Sequence, residues 1–254
     1  MTCCEELFIL SFYPLINIEK QIGQLMEVLQ NIPVEFNKEW MFEQAHIEQG
    51  SDDAREFERL LDKARSLAKP KAIYSESFID EKNKDTVTIE GVTFSSTILR
   101  SNLEKVERVF PFIATCGHEL DTIPLPDGDF LAQFWLDNIK AGALIMSIQY
   151  LNKYLDRRFA LSKTSTMSPG SGDIDVWRIE QQKPLFSLFG DTEKLIGVKL
   201  TDSFLMIPNK TVSGIKFLTE IDFRTCQLCH REICPNRSAP FDRDLWDEMQ
   251  HGKN

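Results

Sequence analysis

The stretch Asp129–Phe159 constrains the fold more than any other part of the chain. Phe130, Leu131, Phe134, Trp135, Ile139, Ala143, Ile145, Ile148 and Leu151 cover much of the circumference of one long helix. A helix apolar on several faces is covered by other elements, so it belongs in the middle of a fold. Gly142 within it costs about 1 kcal/mol relative to Ala, and close packing of another element is the expected compensation. The chain has 254 residues. At roughly 100–200 residues per domain, that suits one large domain with appendages.

Around this helix the sequence predicts a mixture of elements. Residues 18–29 read as an amphipathic helix ending before Pro33. Residues 53–68 read as a second helix, with Asp53 and Glu56 as a capping box and Pro70 as its stop. Thr86–Phe94 alternates about Glu90-Gly91, which predicts a hairpin or a bulged strand. A short helix is expected over 101–110 and a buried strand over 112–116. After the long helix come a Ser/Thr/Gly-rich loop over 165–175 and a helix from Trp177 that Pro184 would interrupt. Short strands are expected over 196–200, 203–208 and 211–217. Helices and antiparallel strands without regular βαβ alternation indicate an α+β fold rather than a doubly wound one.

Lys+Arg number 29 and Asp+Glu 39, a formal net charge of −10. That balance argues against a basic nucleic-acid binder. No run of about 18 uncharged apolar residues is present, so no membrane span is expected. The N-terminal MTCCEELFILSFYPLINI carries Glu5 and Glu6 where a signal peptide carries positive charge. Six cysteines are too sparse for a disulfide scaffold. A soluble cytoplasmic protein is the expectation.

Four features carry candidate chemistry. In Ser168-Pro169-Gly170-Ser171-Gly172-Asp173, two glycines would let a ligand approach the backbone, but the spacing is not that of a dinucleotide or P-loop, and on composition alone a plain surface loop is the better reading. Cys116 and His118, two apart on a strand, would share a face as a thiolate–imidazole pair; a buried, inert Cys116 is the plainer alternative. Thr201-Asp202-Ser203, with Lys210, Thr211 and Ser213 across a turn, would face a ligand or simply form a hairpin rim. Cys226-x2-Cys229-x4-Cys234 would place three thiolates around zinc or an iron–sulfur cluster. His251 or the Cys3/Cys4 pair would complete a zinc site. Free thiols and a disulfide are the alternatives.

Five segments taken together resemble a known family. They are ARSLAKPKAIY (64–74), FIATCGHEL (112–120), MSPGSGD (167–173), EQQKPLFSLF (180–189) and IGVKLTDSFLMIPNKTVSG (196–214). In this order they resemble the reactivation domain of cobalamin-dependent methionine synthase, in its stand-alone activation-subunit form. The resemblance implies a C-shaped α+β domain over residues 36–222, with a twisted antiparallel sheet. It leaves an N-terminal extension over 1–35 and a Cys-containing tail over 223–254. It implies S-adenosylmethionine (SAM) held by Ser168–Asp173 and Thr201–Ser203, on one shared groove. It also implies a corrinoid carried by a partner protein or methyltransferase, and an electron donor such as a flavodoxin. The family's loop reads Arg-x-x-x-Gly-Tyr; here Thr166 stands at the Arg position and Ser171 at the Tyr position. A family Glu on the long helix falls near Ile145. Each lost charge-assisted contact costs about 1.5–3 kcal/mol, so weak SAM binding is expected. Asp173, Asp175, Asp202 and Lys210 remain as polar candidates. A binding module that kept the fold and lost SAM is the alternative.

Overall fold

Two strands, not a helix, occupy the first part of the chain that the structure describes. The computed structural model describes residues 17–21, 24–221, 223–234 and 237–251. In chain order the elements are β1 (Asn17–Gln21), β2 (Gln24–Leu29), α1 (Lys38–Gln44), α2 (Asp52–Leu67), β3 (Lys71–Lys82), β4 (Thr86–Ile89), β5 (Val92–Ser95), α3 (Thr97–Asn102) and β6 (Arg108–Thr115). Then follow α4 (Phe130–Arg158), β7 (Thr164–Met167), α5 (Gln182–Ser187), α6 (Thr192–Ile196), β8 (Lys199–Leu200), β9 (Met206–Ile207), β10 (Thr211–Leu218) and α7 (Arg243–His251). The main sheet runs β1-β2-β3-β6-β10-β7, with the β4–β5 hairpin joined to β3, and its pairings are antiparallel. The fold is α+β, with α4 as its long central helix.

β6 shows why the sheet forms here. Val109 and Ile113 point to one face, and Phe110, Phe112 and Ala114 to the other, the period-2 alternation of a strand buried on both sides. The first face packs with Ile73, Ile215, Phe217, Trp177 and Leu185. The second packs with Leu151 and Leu155 of α4. A third cluster joins α1, α2 and the first half of α4 through Met41, Phe57, Ala64, Trp135 and Ile139.

α4 starts at an Asp129 N-cap, whose carboxylate accepts the Ala132 N–H at 2.9 Å. Its buried side is Ala132, Trp135, Leu136, Ile139, Ala143, Ser147, Leu151 and Leu155, at spacings of three and four. Gly142 has the expected reason: a Cβ there would meet Met41 Sδ at 3.1 Å and the Phe36 ring at 3.4 Å. The circumference is not apolar contact throughout, however. Phe130 is 79% exposed, and Leu131, Phe134 and Ile145 are also on the surface.

Several local expectations are corrected. Residues 18–29 pair as β1 and β2 because Met26, Val28 and the buried Glu27 find partners on β3 and α4, which outweighs helical spacing. Glu27 accepts hydroxyl hydrogen bonds from Tyr74 (2.6 Å) and Tyr154 (2.5 Å). The N-cap of α2 is Ser51, whose hydroxyl accepts the Ala54 N–H, so Asp53 and Glu56 lie inside the helix rather than in a capping box. The expected helix over 101–110 is α3, displaced to Thr97–Asn102, followed by the start of β6. Pro111 sits inside central β6. Pairing with β3 runs through Tyr74↔Phe112, lapses opposite Pro111 and Phe110, and resumes at Ser77↔Val109. A proline has no N–H to give that ladder. Pro184 does not interrupt a helix; it lies in the first turn of α5, where backbone N–H groups have no helical acceptor. The Glu90-Gly91 turn is the hairpin expected, with both residues at positive φ. No helix among the described residues is long and apolar enough to cross a membrane.

Candidate functional site

The glycine loop hangs from the end of β7 and is held from beneath. Thr166 pairs in register with Lys216 and shares its face of the sheet. The Lys216 ammonium reaches Asn152 Oδ1 and Asp156 on α4, each at 2.9 Å, so Thr166 lies on the α4 side. Next in the chain, the loop crosses β10 so closely that Gly214 has no room for a side chain. A Cβ there would stand 2.6 Å from Met167 O and 2.7 Å from Ser168 Oγ. Gln182 of α5 then ties the loop down: its Nε2 donates to Pro169 O at 3.1 Å, and its Oε1 accepts from Ser213 Oγ at 2.6 Å. Gln182 and Ser213 are both buried.

Above that anchor the loop turns twice. Gly170 (φ +81°) and Gly172 (φ +84°) take the left-handed conformation. The Gly170 N–H donates to Trp177 O at 2.8 Å, and the Ser171 N–H to Ser168 O at 3.1 Å. Trp177 is buried edge-on against Phe94. Asp173 ends the loop and accepts from His230, through the backbone N–H at 3.1 Å and through Nδ1 at 2.5 Å. Burial pushes the Asp173 carboxyl up, but the His230 hydrogen bonds outweigh it and hold the group below the usual carboxylate range.

The second wall is the β8–β9 hairpin. Thr201 closes its turn: its hydroxyl accepts the Leu205 N–H at 3.0 Å and bonds Ser203 Oγ at 3.1 Å. Asp202, Ser203 and Leu205 are exposed. Both walls border α5 and β10: α5 packs on β8 and β10, β9 packs on β10, and Gln182 carries the glycine loop. Lys210 is drawn to Asp137 of α4 at 2.8 Å. Thr211 Oγ1 donates to Thr115 Oγ1 in the sheet. Those two are therefore occupied structurally.

Cys116 takes the plainer of its two readings, and the tail triad does not assemble. The Cys116 thiol is turned into the helical cluster and donates to Gly117 O at 3.2 Å. Burial, with Asp121 nearby, pushes it up to about 12, so it stays a thiol. His118 lies on the surface against Gly197, and the two do not form a pair. In the tail, Cys226 Sγ accepts the Ser238 N–H at 3.4 Å. Among the described residues no group of three or more His, Cys, Asp or Glu side chains is arranged to hold a metal ion. The structure thus does not gather Cys226, Cys229 and Cys234 into a ligand set for zinc or a cluster. Cys3 and Cys4 lie outside the described residues, as does the side chain of His251.

Among solved structures, the chain is similar to one titled as the MetH reactivation domain bound to AdoHcy, with a TM-score of 0.50. The match covers 82% of each chain at 15% identity. The fold is that of the MetH reactivation domain. No protein-family model matches the chain, and a search of curated proteins returns no match.

Sequence reasoning missed three residues that build the loop: Gly214, Gln182 and Trp177. Gly214 and Gln182 sit inside the quoted segments, but their partners lie in other segments: Met167 and Ser168 for Gly214, Pro169 and Ser213 for Gln182. Ile145 is turned from the sheet. It lies two positions from Ser147, whose hydroxyl donates to Lys71 O, and two helical residues rotate the side chain by about 200°. On α4, Asn152 and Asp156 are the polar groups on the Thr166 side.

Proposed function

We propose that the chain is an activation subunit for a cobalamin- or corrinoid-dependent methyltransferase of the methionine synthase kind. In this reading it supports reductive methylation of a partner-borne corrinoid by SAM. The partner's corrinoid, once reduced by one electron from a reductase, would supply the methyl acceptor, and SAM held by this chain would be the methyl donor. The protein contributes position and exclusion of water, while the small molecules supply the chemistry. Residues 36–222 are the activation domain in this proposal, with 1–35 and 223–254 as additions to it.

One observation carries the reading. The chain shares its fold, over 82% of both chains, with a domain that binds AdoHcy, and its glycine loop and Thr201–Ser203 rim border the same α5–β10 junction. Left-handed Gly170 and Gly172 suit close approach of a ligand to the backbone. Ser168–Asp173 and Thr201–Ser203 are the residues proposed to hold SAM. The fit is incomplete at one end of the ligand. Thr166 and Ser171 are exposed and uncharged, and neither offers the guanidinium fork that grips a carboxylate. That observation favours a second reading, a module that docks a corrinoid protein without binding SAM.

Calorimetry on the full chain with SAM and with AdoHcy separates the two. Under the first reading both ligands bind weakly. The double substitution Thr166→Arg, Ser171→Tyr then tightens them by roughly tenfold, about 1.4 kcal/mol. Absence of binding in both proteins selects the second reading. Sub-micromolar SAM affinity in the unmodified chain would refute the importance given to these two positions.

A further inference from the structure

The tail carries a feature that the methyl-transfer reading does not use. Cys226 lies within the 3-10 turn Thr225–Leu228 and Cys229 follows it directly, so the two are the first and fourth residues of the turn closed by the Cys229 N–H donating to Cys226 O at 3.3 Å. Such a turn brings its first and fourth Cα atoms within about 7 Å, and a disulfide spans about 4.4–6.8 Å. The turn is fixed in place. Leu228 is wholly buried, and the Arg237 guanidinium donates to both Cys226 O (3.3 Å) and Cys229 O (3.2 Å). Both cysteines are free and partly accessible. We propose that Cys226 and Cys229 are a redox-active dithiol, which exchanges with small-molecule disulfides and closes to an intramolecular disulfide.

The two thiols stand in different surroundings, and these assign their roles. Burial disfavours a Cys226 thiolate, but the N–H groups of Ser238 and Ala239, with Arg237 beside them, hold it below the usual thiol range. Cys226 is therefore the attacking thiolate. Cys229 is the resolving thiol, next in the chain to His230, whose backbone N–H and ring hold Asp173. In the first step Cys226 Sγ attacks one sulfur of the oxidant's disulfide, a new S–S bond forms, and one thiolate leaves. In the second, Cys229 loses its proton to solvent, attacks Cys226 Sγ as the thiolate, and expels the other thiolate. Two thiols and one external disulfide become one internal disulfide and two external thiols, with two electrons passing to the oxidant.

Closing the disulfide also acts on the glycine loop. Asp173 is held by the backbone N–H and ring of His230, the residue next to Cys229. Gly172 lies against Thr225, the first residue of the same turn, where a Cβ would meet Thr225 Cγ2 at 3.1 Å. The dithiol is thereby built into the contact between tail and loop. This inference does not depend on SAM binding.

The test is oxidation of the reduced full-length chain with oxidised glutathione, followed by alkylation and peptide mass spectrometry. The expected product is a Cys226–Cys229 cross-link two hydrogens lighter than the dithiol. In the unmodified reduced chain at neutral pH, iodoacetamide should label Cys226 roughly tenfold faster than Cys116 or Cys234. Cys229→Ser should stop the reaction halfway and accumulate glutathione on Cys226. A cross-link through Cys234, equal labelling of the three tail cysteines, or a glutathione adduct on Cys234 in the Cys229→Ser protein would overturn the proposal. So would one equivalent of zinc protecting Cys226, Cys229 and Cys234 together, since that is the behaviour of a metal triad.

Discussion

The glycine loop and the Thr201–Ser203 rim border one junction, yet they are held by opposite means. The loop is specified from a distance. Gly214 leaves it room, Gln182 and Ser213 anchor it from buried positions, and His230 holds its far end. The rim specifies itself: Thr201 closes a five-residue turn with its own hydroxyl and backbone, and its neighbours face solvent. A wall built from the core can hold a ligand in a fixed place, because moving it means leaving buried polar groups unpaired. A wall closed only by local bonds can shift at small cost. The comparison predicts that substitutions beneath the loop cost far more than substitutions in the rim.

The largest expected effect is at Gly214. In Gly214→Val the new side chain meets Met167 O, a backbone atom that cannot swing aside, so the loop or β10 must move. Overpacking of this kind should cost about 3 kcal/mol, visible as a lowered Tm, and should abolish any ligand binding by the loop. An unchanged Tm would mean that the loop is far looser than its bonding suggests. Gln182→Ala comes next. It leaves Pro169 O and the buried Ser213 hydroxyl without a partner, at an expected cost of about 2 kcal/mol by denaturant titration. Gln182→Glu keeps the shape but turns a buried carboxylate oxygen toward Pro169 O, so it should cost at least as much as Gln182→Ala.

How much of this was legible in the sequence differs between elements. The rim was visible only as polar residues: Ser203 to Pro208 were expected as a strand, whereas the strand is Met206–Ile207 and the turn closes at Thr201–Leu205. The α4 helix read correctly, because 29 residues of pattern average out local noise. β1 and β2 did not, because what makes them strands is the neighbouring β3 and the hydroxyls that meet Glu27. The central β3 went unread for a similar reason. Ala72 to Ser75 are all buried and Ser77 is too, so burial on both faces erases the alternation that marks a strand. For the site, the loop residues themselves were visible as glycines beside Ser and Asp. Their anchors were not, because Gln182, Gly214 and Trp177 acquire meaning only when the chain returns to them. The cysteine triad failed through the converse error: spacing permitted convergence, but among the described residues the three thiols are not arranged as a ligand set, and Cys226 Sγ accepts the Ser238 N–H instead.

A smaller effect is expected where the loop meets the tail. The Asp173 carboxyl is held below its unfolded value by His230. Its contribution is therefore complete above the unfolded pKa of about 3.9 and is lost as pH falls through the lower folded value. Proteolysis of the tail should accelerate below about pH 4, and Asp173→Asn should show the faster cleavage already at neutral pH. His230 is half exposed, so the effect on global stability should stay under about 1 kcal/mol. A tail equally protected at pH 3 and pH 7 would mean that Leu228 and Phe223 alone hold it.

The smallest effect should come from Thr201→Val. The substitution keeps the shape and removes the hydroxyl that accepts the Leu205 N–H and bonds Ser203. Those groups face solvent, so water replaces the lost partner, and the cost should be about 0.5 kcal/mol or less. The turn also keeps its backbone bonds, from Thr201 N–H to Leu205 O at 2.8 Å and from Phe204 N–H to Thr201 O at 2.9 Å. Hydrogen exchange at Leu205 is the sharper measurement, since that amide alone loses its acceptor and should exchange faster while the β10 amides stay unchanged. If Thr201→Val instead lowered Tm as much as Gln182→Ala, the rim would be as deeply integrated as the loop. The two walls would then have to be treated as one rigid unit.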